Sequence, residues 1–342
     1  MKTEVVADQT LGFRNCHAAT LLEVGDVLWC AFFAGTREGT PDMSIWLSRR
    51  VDGHWTAAVP VTHDLRQAHW NPVLFMQQGQ PVLFYKCGTD VQSWHTRLLP
   101  LDVDGKPRGP DRVLVGKDFP YGPVKNKCLV LRSGVVLAPG STELGQHWDA
   151  HVDRFDASLG YLGTARVPLV HGTARREQGD TWQGLAEQAL WETDTEVVFG
   201  WDGIIQPTLW ESAPDKVHLL ARSTRGCLYR SDSSDAGLSW SEARSAEVPN
   251  NNSGVDLVTL SDGSLLLAHN PVADNWGRRT PLSLSRSTNN GLTWAPVMDL
   301  ETAEGEFSYP AIITLSGGRV AVAWTANRLQ IRCRILSGNC LI

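Results

Sequence analysis

Two eight-residue segments of this chain share one pattern, Ser-x-[Asp/Asn]-x-Gly-x-[Ser/Thr]-Trp: Ser233 to Trp240, and Ser287 to Trp294. The pattern describes a β-hairpin turn. The Asp or Asn side chain folds back on its own backbone, and the glycine supplies a positive φ. Trp240 and Trp294 are then expected to pack between neighbouring sheets rather than to serve as sugar platforms. A weaker copy runs from Ser48 to Trp55 and turns at Asp52-Gly53. A degenerate one begins near Val152 and passes through Asp156 and Gly160.

A second element repeats with the first. Strand–turn–strand pairs begin near residues 19, 73, 128, 208, 257 and 311, about 54 apart except for one long gap between 128 and 208. A unit of this size cannot bury both its faces alone, so it must stack on its neighbours. Six units of four strands around an axis make a propeller, which protects its sheet edges by radial closure. A β-sandwich rarely needs six equivalent hairpins, and β-helix repeats are shorter. The expected fold is therefore all-β, a six-bladed β-propeller. It forms a single domain over 1–342 with an insertion around 171–199, composed of a polar stretch (Thr173 to Asp180) and a Trp182–Trp191 segment with room for a short helix.

Composition narrows the partners. The net charge of −6 speaks against nucleic acid or an anionic membrane as partner, whereas a pocket can still hold an acidic ligand with a few local cations. The seven cysteines (16, 30, 87, 128, 227, 333 and 340) form no CxxC or Cys/His pattern, so no metal and no cofactor is expected. They read as buried thiols in a reducing compartment. The first residues, MKTEVVADQTLGF, lack the apolar core of a signal peptide, and the expected location is cytoplasmic. Nothing in the sequence speaks to oligomeric state.

The Ser-x-Asp-x-Gly-x-Thr-Trp turns resemble the Asp-box of the sialidase (neuraminidase) superfamily, and the likeness covers nearly the whole chain. Further phrases resemble its BNR-repeat, predicted-neuraminidase branch. They include Cys16-His17-Ala18, Thr36-Arg37-Glu38-Gly39, Pro41-Asp42, Trp70-Asn71-Pro72, Lys125-Asn126-Lys127, Gln206-Pro207, Ala221-Arg222-Ser223 and Ser308-Tyr309-Pro310. The resemblance implies an arginine triad that clamps a substrate carboxylate, an Asp acid/base, and a Tyr nucleophile assisted by a Glu. By order along the chain, Tyr309 matches the nucleophile and Asp42 the acid/base, which would need a raised pKa. Arg222 matches the second arginine and Arg279 the third, with Arg278 as a rival. Where the first arginine belongs, this chain has Cys16-His17. Where the Glu belongs it has Gln206, which cannot accept a proton, with Glu211 nearby as a substitute.

Other residues have two readings each. His17 is a general base or carboxylate donor, or a histidine satisfied within an inner strand layer. His69 and Asn71 line the pocket or serve a turn. Lys125 and Lys127 alternate with Asn126, so they share a side and make a cationic patch toward substrate, or else are exposed loop lysines. Glu143, His147 and Trp148 offer an acidic group and a stacking ring. Gln206 bonds a sugar hydroxyl or holds backbone. Arg37, Glu38 and Thr36 order Asp42, or pair at the surface.

Three functions fit. The first is an exo-acting glycoside hydrolase on a terminal acidic sugar, sialic acid or a related carboxylated sugar, through a tyrosyl intermediate. The second is a uronate-directed lyase or hydrolase in which His17 or His69 removes a proton and Tyr309 protonates the leaving oxygen. The third is a carbohydrate-binding propeller without catalysis.

Overall fold

The computed structural model describes residues 2–64, 66–172, 181–187, 189–192 and 194–338. Cys340 and the polar stretch from Thr173 to Asp180 lie outside these. The fold is all-β. The six described repeat units run as antiparallel meanders, each beginning with the strand that the repeat marks. The first comprises Asn15–Val24, Val27–Gly35, Ser44–Val51 and a split edge, His54–Trp55 and Val59–Pro60. The second is Ala68–Gln77, Gln80–Gly88, His95–Pro100 and Arg112–Val113. The third (Leu129–Val130, Val136–Leu144, His147–Phe155, Tyr161–Arg166) is joined to the fourth through a short parallel register, His147 with Asp202 and Trp148 with Gly203. The fourth is Asp202–Ala213, Lys216–Ser223, Cys227–Ser233 and Arg244–Pro249, and the fifth Asp256–Thr259, Leu265–His269, Leu282–Ser287 and Ala295–Glu301. The sixth is Phe307–Leu315, Arg319–Ala326 and Gln330–Leu336, and its outer strand is Thr3–Asp8 from the other end of the chain.

The apolar residues explain why these sheets need one another. In the fifth sheet Leu265 and Leu267 pack with Trp210 and Leu220 of the fourth, whereas Leu266 and Ala268 pack with Ile312 and Val322 of the sixth. Side chains alternate across a strand, so a continuous apolar run means that both faces are covered. The same holds around the molecule. Trp29 and Phe33 meet Leu74 and Leu83; Val73 and Phe84 meet Val136 and Phe155; Val152 meets Leu209 and Leu219. Finally, Ala321, Ala323 and Cys333 of the sixth sheet pack on Leu21, Cys30 and Phe32 of the first. Inner strands are also tied by side chains. Thr20 accepts the Leu74 N–H (3.2 Å), Thr208 the Leu257 N–H (3.3 Å), and Asp256 the Ile312 N–H (3.0 Å).

The two eight-residue turns share their side-chain-to-backbone hydrogen bonds. Asp235 accepts from Ser239 N (3.0 Å) as Asn289 accepts from Thr293 N (2.9 Å), and Ser233 and Ser287 each accept a glycine N–H at 2.9 Å. Gly237 and Gly291 have φ of 77° and 75°, which explains the glycine. Trp240 packs with Val152 and Leu219 between the third and fourth sheets, as expected, and Trp294 packs beside Trp210 and Leu257. Ser287 is 1% exposed. Ser287→Ala strips the buried Gly291 N–H of its acceptor and is expected to cost about 1–2 kcal/mol. A lower urea midpoint at unchanged m-value is the check.

The expected insertion contains two short helices among its described residues, Gln183–Ala186 and Thr195–Gly200, the second capped by Asp194, which accepts the Glu196 N–H. Trp182, Leu185, Leu190 and Val198 pack with Trp148, Ile205 and Trp276. The insertion thereby builds one wall of the pocket described next. No described helix is long and apolar enough to cross a membrane.

Candidate active site

Four inner strands share one irregularity. Their register shifts between His17 and Thr20, Trp70 and Val73, Ile205 and Thr208, and Ser308 and Ala311. Within each shift one non-glycine residue takes a left-handed backbone: Ala18 (φ 56°), Asn71 (45°), Gln206 (54°) and Tyr309 (52°). Asn71, Gln206 and Tyr309 each precede a proline, which normally favours an extended backbone, so these bulges oppose local preference. Strain of this kind persists where packing on all sides enforces it, and it re-aims side chains. Asn71, Gln206 and Tyr309 all line one pocket.

Tyr309 makes the closest polar contact within it. Its hydroxyl accepts a hydrogen bond from Arg222 Nη1 at 2.5 Å, and the same nitrogen lies 3.3 Å from Gln206 Oε1. Arg222 is the penultimate residue of the strand Lys216–Ser223 and rests over the Trp148 ring (5.3 Å), while its Nε is buried without an acceptor. Arg279 sits 5.7 Å from the Tyr309 ring centroid and 3.7 Å from that of Trp182. Glu306 Oε1 binds Arg279 Nη1 at 2.6 Å, and Glu306 Oε2 binds Arg328 Nε at 3.2 Å. Arg328 also pairs with Glu38. Two arginines and two glutamates thus form one buried chain of charges. Burial alone would raise the Glu306 carboxyl, but Arg328, Arg279 and the Ser308 hydroxyl bring it below its ordinary value.

Two carboxylates also line the pocket: Glu38, which pairs with Arg328, and Glu143, near the end of the strand Val136–Leu144 opposite Trp148. Among the described residues the Glu143 carboxyl has no hydrogen-bond or ion-pair partner. Burial pushes it up to about 7, further raised by Glu38 and opposed by Arg222. Val91, Trp94, Leu190, Trp191, Trp201 and Trp276 complete the lining.

The structure therefore gathers Tyr309, Arg222, Arg279, Gln206, Asn71, Glu143 and Trp148 into one pocket. Other candidates lie elsewhere. Asp42 is exposed and caps a turn: it accepts from Thr36 N (2.8 Å), Thr36 Oγ1 (2.7 Å) and Thr40 Oγ1 (2.5 Å). Burial works against it, yet these donors hold its carboxyl below the usual range, the opposite of the expected rise. Thr36 orders it. Glu38 instead reaches Arg328, and neither it nor Arg37 is bonded to Asp42.

Lys125 does not form a patch toward substrate. Its ammonium donates to the backbone carbonyls of Val255 (2.8 Å) and Pro310 (2.5 Å) and to Asn126 Oδ1 (2.9 Å). Lys127 pairs with Asp256 at 2.8 Å. Both lysines brace the third sheet against the fifth, and Lys125 reaches the sixth as well. His17 lies against the Tyr309 ring (4.1 Å between centroids), outside the pocket lining. Burial, then Arg328, Arg279, Arg222 and Lys125, push it well below its ordinary value, so it is neutral at pH 7. His69 bonds Thr62 at 2.8 Å and packs on Tyr85, again outside the lining, with its pKa lowered by burial to about 4. His147 is exposed and stacks on His171. Arg278 is exposed in a neighbouring cleft and, unlike Arg279, is not among the residues that line the Tyr309 pocket. Glu211 accepts the Arg132 and Asp215 N–H groups, away from Tyr309.

The sequence reading missed Arg328, Glu306 and the tryptophans 182, 191, 201 and 276. Arg328 occupies a turn with φ 55° next to Asn327 (54°), a place no turn rule marks for chemistry. It meets His17 Nε2 at 3.5 Å, the position where the resemblance called for an arginine. A third guanidinium is thus present, carried by the last sheet rather than the first.

A family model described as a BNR repeat-like domain matches residues 26–322. Among solved structures, a protein of unknown function from Dyadobacter fermentans is similar over 98% of both chains, at 14% identity and TM-score 0.72. A Hadza microbial sialidase is similar at 12% identity and TM-score 0.71, covering 99% of this chain and 69% of that one. Trypanosoma rangeli sialidase is similar at 13% identity and TM-score 0.68 over 96% of this chain, which spans about half (55%) of its length. At these identities the likeness concerns the fold alone. No functionally curated protein matches the sequence.

Proposed function

We propose that this chain, which belongs to the BNR repeat-like domain family, is a six-bladed β-propeller and a sialidase-type glycoside hydrolase acting on a terminal acidic sugar. The propeller reading is supported by the apolar clusters, each shared by consecutive sheets with the sixth returning to the first, and by Thr3–Asp8 completing the last sheet. One observation carries the chemistry: the Tyr309 hydroxyl held 2.5 Å from the Arg222 guanidinium inside the pocket. A cation at that distance stabilises the phenolate that must develop as oxygen attacks an anomeric carbon. A neutral phenol also avoids repelling a substrate carboxylate until it loses its proton, which here goes to solvent.

Arg279 and Arg328 are already balanced by Glu306 and Glu38, while Arg222 keeps an unused buried N–H. Arg222 is therefore the residue for the substrate carboxylate, with Arg279 beside it. The elimination reading has less support, because neither His17 nor His69 is among the residues that line the pocket.

The test is a panel of 4-methylumbelliferyl glycosides of sialic, ketodeoxy and uronic acids, assayed with wild type and Arg222→Lys. Turnover of an acidic glycoside, with kcat/KM falling roughly 100-fold or more in R222K, is the expected result, since lysine cannot reproduce the fork. Saturable binding with no turnover of any member would make the protein a lectin-like propeller and overturn the proposal.

A further inference from the structure

We propose that Glu143, not Asp42, is the proton donor to the leaving glycosidic oxygen; the assignment rests on the hydrolase reading above. Three observations carry it. Glu143 lines the pocket that holds Tyr309, on the strand facing Trp148. Among the described residues its carboxyl has no hydrogen-bond or ion-pair partner, which leaves its oxygens to a ligand. The residue is half-buried at the pocket wall, where a ligand can reach a carboxyl that no described neighbour occupies. Asp42, by contrast, is exposed and already accepts three hydrogen bonds from Thr36 and Thr40.

The charged groups around Glu143 agree with a neutral resting carboxyl. Glu38 repels its ionised form and Arg222 favours it, while burial opposes ionisation. Arg279 and Tyr309 complete the titratable lining of the pocket. Arg222 is engaged with Tyr309 and Gln206 and makes no ion pair with Glu143.

In the first half-reaction the Tyr309 oxygen forms a bond to the anomeric carbon and releases its phenolic proton to solvent. The bond from that carbon to the leaving oxygen breaks, both electrons go with the oxygen, and the Glu143 proton neutralises it. Glu143 is left as a carboxylate beside Arg222. In the second half it takes a proton from the water that attacks the anomeric carbon, and the tyrosyl oxygen departs with its bonding electrons and recovers a proton from solvent.

Glu143→Gln keeps the shape and removes the proton. On an acidic glycoside whose leaving group is another sugar, E143Q is expected to lower kcat/KM by roughly 100-fold or more. On the 4-nitrophenyl glycoside, whose leaving group needs no proton, the loss should stay under about 10-fold. The alkaline limb of the pH profile, near 7 in wild type, should vanish. Equal losses on both substrates, a retained limb, or this signature appearing in Asp42→Asn instead would each overturn the assignment. Infrared difference spectra provide a second arm free of turnover. A protonated-carboxyl band at pH 6, absent from E143Q, is expected, and its absence from wild type overturns the proposal. If wild type cleaves no acidic glycoside, the hydrolase reading fails, and the infrared arm alone decides where the proton resides.

Discussion

Tyr309→Phe is expected to lower kcat/KM on the responsive acidic glycoside by roughly 10³-fold or more, with thermal stability close to wild type. The reason lies in how little else changes. Phenylalanine keeps the ring that packs on His17 and fits the same strained bulge ahead of Pro310. Only the oxygen is lost, and with it the acceptor 2.5 Å from Arg222. Arg222 can still bond Gln206 and stack on Trp148, so KM should rise far less than kcat falls. Single-turnover mass spectrometry with a fluorinated acidic glycoside checks the same point directly. A covalent adduct on the peptide holding Tyr309 is expected in wild type and absent from the variant. Near-wild-type activity in the variant would remove Tyr309 from the chemistry and leave the pocket to water-mediated displacement.

Glu306→Gln should be the most destabilising conservative change near the site. Glu306 bridges Arg279 and Arg328, which are 2% and 4% exposed. Neutralising it leaves two buried guanidiniums with Glu38 as their remaining carboxylate. Breaking a buried ion network from one side costs about 3–5 kcal/mol, because the surviving charge is uncompensated. Thermal unfolding should move down by about 4–7 °C in a chain of this size. The pH dependence has a definite sign. Arg328 and Arg279 outweigh burial and hold the Glu306 carboxyl below its unfolded value, so its stabilisation is present above about pH 4.5 and is lost as pH falls through the folded pKa. E306Q should therefore approach wild type in stability at acid pH and fall furthest behind at neutrality. A stability difference independent of pH would assign the loss to packing rather than charge.

Most of the architecture was legible because it is local. In the repeated turns Asp235 and Asn289 bond partners four residues away, and the glycine two residues after each takes a positive φ, 77° and 75°. A pattern of eight residues therefore contains its own physical cause. The strand pairs are legible for a related reason: runs such as Leu265-Leu266-Leu267-Ala268 can be apolar throughout only when sheets cover both faces. Asn71-Pro72, Gln206-Pro207 and Tyr309-Pro310 stood out as phrases, although nothing in their spacing revealed that they are bulges aimed at one cavity.

The charge chemistry required the assembled molecule. Arg328 and Glu38 are 290 positions apart, and no local rule joins them. Lys125 and Lys127 alternate as the sequence suggested, yet the carbonyls and the Asp256 carboxylate they reach belong to sheets more than a hundred residues away. Asp42 lies in the family's order but within reach of two threonine hydroxyls, and those donors decide its ionisation. Hairpins, turn glycines and two-sided burial are properties of short stretches, so the sequence by itself determined the repeat and its strands. A pKa, an ion pair or a pocket wall depends on which stretches meet in space, and that was decided by the tertiary structure alone.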